Sequence, residues 1–251
     1  WKKDWTVWKE ESKEISDRLG WLASPQQTTA VLPRIEKLLA AVRHNGYTHA
    51  LLLGMGGSSL APEVLSEVFG TKKSYLKLGV LDSTVPEAVL NFRRRLDPEK
   101  TLVIVSSKSG ETVETVSFFN FFFNWIADSL GKEKTGEHFV AITDPGTPLE
   151  KSAGEYHFQE IFNGQPDIGG RYSALSVFGI VPAALTGINV KELLKRGQET
   201  ASLCRLTSPL QKNPGIFLGA ILACLARRGR DKLTFILSPK VESFFYWLEQ
   251  L

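Results

Sequence analysis

Short apolar runs alternate with longer segments of helical period along most of this chain. Residues 48–53 (THALLL), 76–81, 101–105 (TLVIV) and 138–142 are apolar runs of strand length. Runs of this kind read as strands covered on both faces of a parallel sheet. Residues 156–161 read as a fifth, short strand. Between them, residues 62–69, the segment that opens at Pro86, and the segment from Glu111 onward read as helices. Pro86 suits a first helical turn, where its missing N–H is not needed. Strands and helices alternating at this spacing predict an α/β fold: a parallel sheet of about five strands, right-handed crossovers and helices on both faces. The helix after the third strand carries Phe118, Phe119, Phe121, Phe122, Phe123 and Trp125. Being apolar all round, it is expected to be buried on more than one side, at a subunit or domain interface.

The ends of the chain follow different patterns. Residues 5–18, with alternating charges, and 32–42, with apolar residues at helical spacing before Asn45-Gly46, predict two helices ahead of the sheet, which makes residues 1–46 a helical lead to a first domain over 47–186. Trp1, Trp5, Trp8 and Trp21 read as packing surface, because nothing polar converges near them in sequence. After Asn163, DIGGRYS (167–173) feeds an apolar helix over 174–185. Asn189 with Glu192 predicts a cap for the next helix, and residues 213–228 make another. Residues 233–237 read as a new strand, so 187–251 are expected to form a connection and the start of a second α/β domain.

Charge narrows the function classes. The 30 basic and 27 acidic residues nearly balance, so no strong field for nucleic acid is implied. Arg93, Arg94 and Arg95 fall late in a helix and suit its C-terminal dipole as a solvated face. Cys204 and Cys224 lack CxxC spacing and read as two buried thiols in a reducing cytoplasm. No apolar run reaches the ~20 residues of a membrane span, and the first residues do not resemble a secretory signal.

The candidate chemistry gathers where strands give way to helices. Residues 101–105 end in Ser106, Ser107, Lys108, Ser109 and Gly110, so hydroxyls, an ammonium and the N–H groups of a helix start converge near Thr112. Such a place suits an anion, phosphate above all. A Ser/Thr-rich turn that only caps its helix is the other reading. A second loop of similar character, Gly54-Met55-Gly56-Gly57-Ser58-Ser59, favours the anion. That loop fits a dinucleotide poorly: Ser59 stands where a third glycine would, and Asp82 lies farther on than the expected ~20 residues. No GKS or GKT follows it for a nucleotide-phosphate loop. His44, His49, His138 and His157 show no metal-ligand spacing, and without a GxSxG elbow a serine nucleophile is not indicated. Arg171 follows two glycines at a helix start, where the backbone is free to approach a ligand closely.

GMGGSSL, SSKSGETVET and DIGGRYSALS, in this order, resemble the sugar isomerase domain of the glucose-6-phosphate isomerase family, and NPGIFLGAILACLARRGRDKLTFIL with SPKVESFFYWLEQL resemble the lead into that family's second such domain. The Trp-rich start is similar to the isomerase half of bacterial transaldolase and isomerase fusions. The resemblance implies a sugar isomerase, flavodoxin-like fold. It also implies that Ser107, Lys108 (largely through its backbone), Ser109 and Thr112 hold the sugar phosphate, with Gly56, Gly57 and Ser58 lining the same site. Arg171 matches the arginine that stabilises the charged intermediate, Gln250 a substrate-side glutamine, and Glu114 an acid near the sugar with an indirect role. The partners implied are a hexose 6-phosphate and either a second copy of the chain or a fused transaldolase domain, with no nucleic acid and no membrane.

The implied reaction interconverts glucose 6-phosphate and fructose 6-phosphate, a step of glycolysis and gluconeogenesis, through an enediolate. It needs a carboxylate base and a cation or donors for the enediolate oxygen, and no metal or redox cofactor. In the family the base lies four residues after the glutamine matched by Gln250, which places it past Leu251; Glu242 and Glu249 do not occupy that position. The rival class is a non-catalytic sugar-phosphate sensor. A sensor would carry a DNA-reading helix-turn-helix ahead of the domain, and the first 45 residues show no basic recognition helix. An aminotransferring phosphosugar isomerase is a rival among enzymes, and GGRYS disfavours both.

Overall fold

A computed structural model describes residues 2–205 and 207–251, and Trp1 lies outside them. Five strands form one all-parallel sheet in the order β2-β1-β3-β4-β5. These are β1 (His49–Leu53), β2 (Lys77–Leu81), β3 (Thr101–Ser106), β4 (Phe139–Thr143) and β5 (Glu160–Asn163). Every residue of β3 and β4 is buried, as a strand covered on both faces requires. Side chains alternate between two cores. Ala50, Leu52, Leu102 and Ile104 pack with Ile35, Leu38 and Val42 of the Leu32–His44 helix and with the Val177–Leu185 helix. Leu51, Leu53, Val103 and Val105 pack with Phe118, Phe119 and Phe122 of the Val113–Leu130 helix. The Pro86–Arg95 helix, with Pro86 in its first turn, covers the same side through Val89 and Phe92. The predicted α/β fold with helices on both faces is therefore present.

Several elements differ from expectation. The 5–18 helix is absent: only Trp5–Val7 forms a 3-10 turn, capped by Asp4, before a run of turns. The segment's few apolar residues, Trp5, Val7, Trp8 and Ile15, are none of them buried, so little holds it helical. It is pinned instead by Lys3 on Asp167 at 2.6 Å and a bridge between Leu19 and Ile168. The fifth strand starts later than expected because the Pro148–Glu155 helix runs into a turn at His157, where φ is 52°. The Val113–Leu130 helix buries one face rather than several. Ser117, Asn120, Asn124 and Asp128 punctuate its outer side, where Val113 and Phe121 are exposed.

Past the sheet, Asn189 and Asn213 cap the Val190–Leu203 and Pro214–Ala226 helices by accepting from Glu192 N and Ile216 N. The expected strand at 233–237 does not form. A strand needs a neighbour's backbone to pair with, and no described residue supplies one; Ile236 is 94% exposed. Cys224 is exposed and Cys204 half-buried, against the expectation of two buried thiols, because the Pro214–Ala226 helix has no buried residue. No helix among the described residues is long and apolar enough to cross a membrane.

His138 ties the start of β4 to β3 through Nδ1 and the Thr101 carbonyl at 3.1 Å, with its ring edge-on to Tyr47. Burial holds its pKa below the ordinary 6.5. The unfolded chain then takes up this proton while the folded one resists it, so the stability associated with neutral His138 is complete above 6.5 and declines as pH falls below it. Thermal midpoints measured from pH 7 to 5 should fall, and His138→Asn, which keeps a donor for Thr101, should flatten part of the decline.

Candidate active site

The chain visits β1, steps to β2 on one side, then crosses to β3 on the other, so the strand order reverses between β1 and β3. Ligands in open parallel sheets bind in the crevice at such a reversal, outside the carboxyl ends of the strands. Both unusual loops, 54–59 and 106–112, lie there, one after each strand of the pair. They touch: Ser106 Oγ donates to the Ser58 carbonyl at 3.1 Å.

The loop after β3 is built by its own hydroxyls. Ser107 and Thr112 Oγ atoms stand 3.1 Å apart, and the Gly110 N–H donates to Ser107 Oγ at 3.1 Å. The Ser107 N–H donates to the Ile142 carbonyl of β4 at 3.0 Å, which sets the loop on the sheet. Gly110 has φ of 69°, and a Cβ there would stand 2.8 Å from Thr147, so glycine is needed on both counts. The helix starts at Val113 rather than Glu111, with Thr112 as its N-cap residue making no side-chain capping bond. The first-turn N–H groups and the dipole's positive end therefore face the loop beside the Ser107 and Thr112 hydroxyls. Ser109 is exposed and accepts from the Glu111 N–H at 3.3 Å, so its hydroxyl serves the turn. Glu114 sits half-buried in the first turn of the helix.

Lys108 points elsewhere than its neighbours. Its ammonium forms an ion pair with Asp144, the residue after β4, and donates to the Pro166 carbonyl at 3.1 Å. The two side chains are 23% and 13% exposed. A solvent-exposed pair such as Arg94 with Glu87 is worth ~0–1 kcal/mol. Stranding one partner of a buried pair costs ~3–5 kcal/mol, and the Lys108 pair lies nearer that limit.

The GGR segment closes on the first loop backbone to backbone. A Cβ on Gly57 would stand 2.3 Å from the Gly170 carbonyl carbon and 2.8 Å from Arg171 N. Ser173 Oγ donates to the Gly170 carbonyl at 2.7 Å and lies 3.3 Å from that of Gly57. Gly57 thus serves the approach of two protein segments, where the sequence had pointed to a ligand. Gly56 has φ of 54°, a value glycine tolerates best. The Phe244–Gln250 helix brings two more groups: Trp247 Nε1 donates to the Arg171 carbonyl at 3.2 Å, and Gln250 lies over Gly56. Gln250 Oε1 is buried without a hydrogen-bond partner among the described residues. Glu242 and Glu249 are exposed.

Trp8 and Trp21 are not remote from polar groups, contrary to the sequence reading. Trp8 and Trp21 line a pocket of about 620 Å³ together with Lys13, Arg18, Lys108 and Arg171. Trp21 stacks on Tyr172 at 5.8 Å. This juxtaposition and the Asp144 partner of Lys108 were missed, since they join segments more than a hundred and some thirty residues apart. The one signal for the second was the turn stretch Asp144-Pro145-Gly146 that follows the apolar run 138–142. No group of three or more His, Cys, Asp or Glu side chains able to hold a metal occurs among the described residues.

The family profile of phosphoglucose isomerase matches residues 27–234. Glucose-6-phosphate isomerase of Carboxydothermus hydrogenoformans is 32% identical over 96% of this chain and 53% of its own length. The enzyme of that name from Thermus thermophilus is 32% identical over 95% and 55%. A crystal structure of a hypothetical protein from Thermus thermophilus superposes with TM-score 0.80 at 28% identity, over 95% of this chain and 55% of that one. A glucose-6-phosphate isomerase structure from Chlamydia trachomatis has the same fold, with TM-score 0.76 at 24% identity over 99% and 47%. The chain spans about half the length of the curated relatives it matches. Matched by the profile over most of its length, the chain belongs to the phosphoglucose isomerase family.

Proposed function

We propose that these residues form the phosphate-holding half of an isomerase that interconverts glucose 6-phosphate and fructose 6-phosphate. The observation that carries this reading is the pair of hydroxyls, Ser107 and Thr112, 3.1 Å apart at the start of an 18-residue helix, in the crevice between β1 and β3. The sugar phosphate sits there on these hydroxyls and the first-turn N–H groups, with Ser58 and the Gly56–Gly57 turn as the facing wall. Arg171, carried over Gly57 by its segment, supplies the cation for the enediolate oxygen as hydrogen moves between C2 and C1. Gln250, over Gly56, has a free buried carbonyl to offer a sugar hydroxyl. Residues 47–186 form the first sugar isomerase domain in this reading, 1–46 its lead, and 187–251 the connection to a second.

Replacing Ser107 and Thr112 together by alanine removes two donors to a charged group and is expected to weaken fructose 6-phosphate binding by about 2 to 4 kcal/mol, roughly 30- to 900-fold. Calorimetric titration reads this directly. An affinity equal to that of the unaltered chain would mean the phosphate sits elsewhere.

A further inference from the structure

The loop after β3 and the segment that carries Arg171 are each braced separately. The first has its own hydroxyl bonds and its anchor on Ile142. The second is held at its far end by Ser173, the Gly57 approach and Trp247. Its near end, from Gly164 to Asp167, rests on the sheet through the Gly164 N–H and the Thr143 carbonyl at 2.8 Å and on the lead through Lys3 and the Gly20 N–H at Asp167, and among the described residues the Lys108 side chain joins it to the loop. Lys108 donates to the Pro166 carbonyl at 3.1 Å while Asp144 holds its ammonium in place. Asp144 also donates its own N–H to the Lys108 carbonyl at 3.1 Å, so the carboxylate is fixed to the residue it pairs with. Its other oxygen, Oδ1, is buried without a hydrogen-bond partner among the described residues. The carboxylate thus gives up hydration chiefly in exchange for the ammonium, an arrangement that holds only while the pair is intact.

We propose that Asp144 is a positioning residue. Through the Lys108 ammonium it fixes the spacing between the phosphate-holding loop and the Arg171 segment, and Lys108 acts on the phosphate through its backbone alone. The inference rests on the proposed phosphate site. It adds that the near-end link between the two halves of that site runs through one ion pair that touches no substrate. A ligand that reaches only the loop then needs no tether, whereas a ligand that spans both halves does, because misplacing one half of a site removes the benefit of orientation.

The test titrates the 251-residue chain with two probes, fructose 6-phosphate by calorimetry and inorganic phosphate by competition against it. Asp144→Asn should weaken fructose 6-phosphate about tenfold and inorganic phosphate less than twofold, and Asp144→Glu, which keeps the charge, should recover most of the loss. Lys108→Met approaches the same contact from the other end and should reproduce the split should Asp144→Asn fold poorly. The double variant should be no worse than either single one. Equal losses for both probes, or no loss for either, would overturn the proposal, the former marking a general loosening of the loop. Tighter binding in Asp144→Asn would overturn it too, since a released Lys108 would then be gripping phosphate. Failure of the unaltered chain to bind either probe would instead defeat the phosphate site itself.

Discussion

These 251 residues alone are expected to turn over fructose 6-phosphate ~10² to 10⁴ more slowly than a full-length relative, because a positioned general base contributes a factor of that size. The isomerisation requires a carboxylate at the C2 proton. Glu114 sits in the first turn of the helix that opens beside the Ser107–Thr112 loop, and its expected role is indirect. Glu242 and Glu249 are exposed on or beside the last helix. In the proposed reading the base is the family carboxylate expected four residues beyond the position matched by Gln250. Binding does not depend on that group, so affinity and turnover should separate, with fructose 6-phosphate expected to bind and to be barely converted. A coupled assay forming glucose 6-phosphate checks this. Turnover near that of a full-length enzyme would show that the base lies among these residues.

Gly57→Val is expected to abolish fructose 6-phosphate binding and also to lower thermal stability. A Cβ would stand 2.3 Å from the Gly170 carbonyl carbon and 2.4 Å from its oxygen, and both atoms are backbone held by Ser173. Neither can swing aside as the end of a flexible side chain could. The two segments must part, which displaces Arg171 from the loop. Forcing extra atoms into a packed contact costs ~1–3 kcal/mol and occasionally more. From sequence alone a clash with ligand, at no cost to stability, would be expected; the backbone contact makes stability fall as well. Gly57→Ala should move the same way, since the first carbon makes the clash. Thermal denaturation beside calorimetry checks both arms, and normal stability with normal binding in Gly57→Val would reduce the first loop to an ordinary turn.

The sheet was legible in the sequence because its strands are short apolar runs bounded by turn residues, and periodicity sees that pattern. Strand order was legible only through the resemblance, whose flavodoxin-like fold carries the 2-1-3-4-5 order observed. The step from β2 back across β1 to β3 is what sets the 54–59 and 106–112 loops side by side, and no local pattern encodes it. Motif spacing pointed to Ser107, Thr112 and Arg171, whose surroundings are partly local. It could not find Asp144, whose role depends on a lysine in the neighbouring loop. The same limit explains the errors at the ends. A strand over 233–237 and a buried Cys224 are what apolar content alone predicts, but pairing and burial need partners in space. At residues 5–18 the alternating charges resembled a solvated helix, yet the stretch forms turns, pinned on either side by Lys3 on Asp167 and Leu19 on Ile168.

The most direct test of the central claim is a structure of the chain soaked with fructose 6-phosphate. The phosphate should lie between Ser107, Thr112 and the first-turn N–H groups of the Val113–Leu130 helix, with the sugar extending toward Arg171 and Gln250. A phosphate held instead in the pocket lined by Trp8, Lys13, Arg18 and Trp21, leaving the Ser107–Thr112 loop unoccupied, would contradict it.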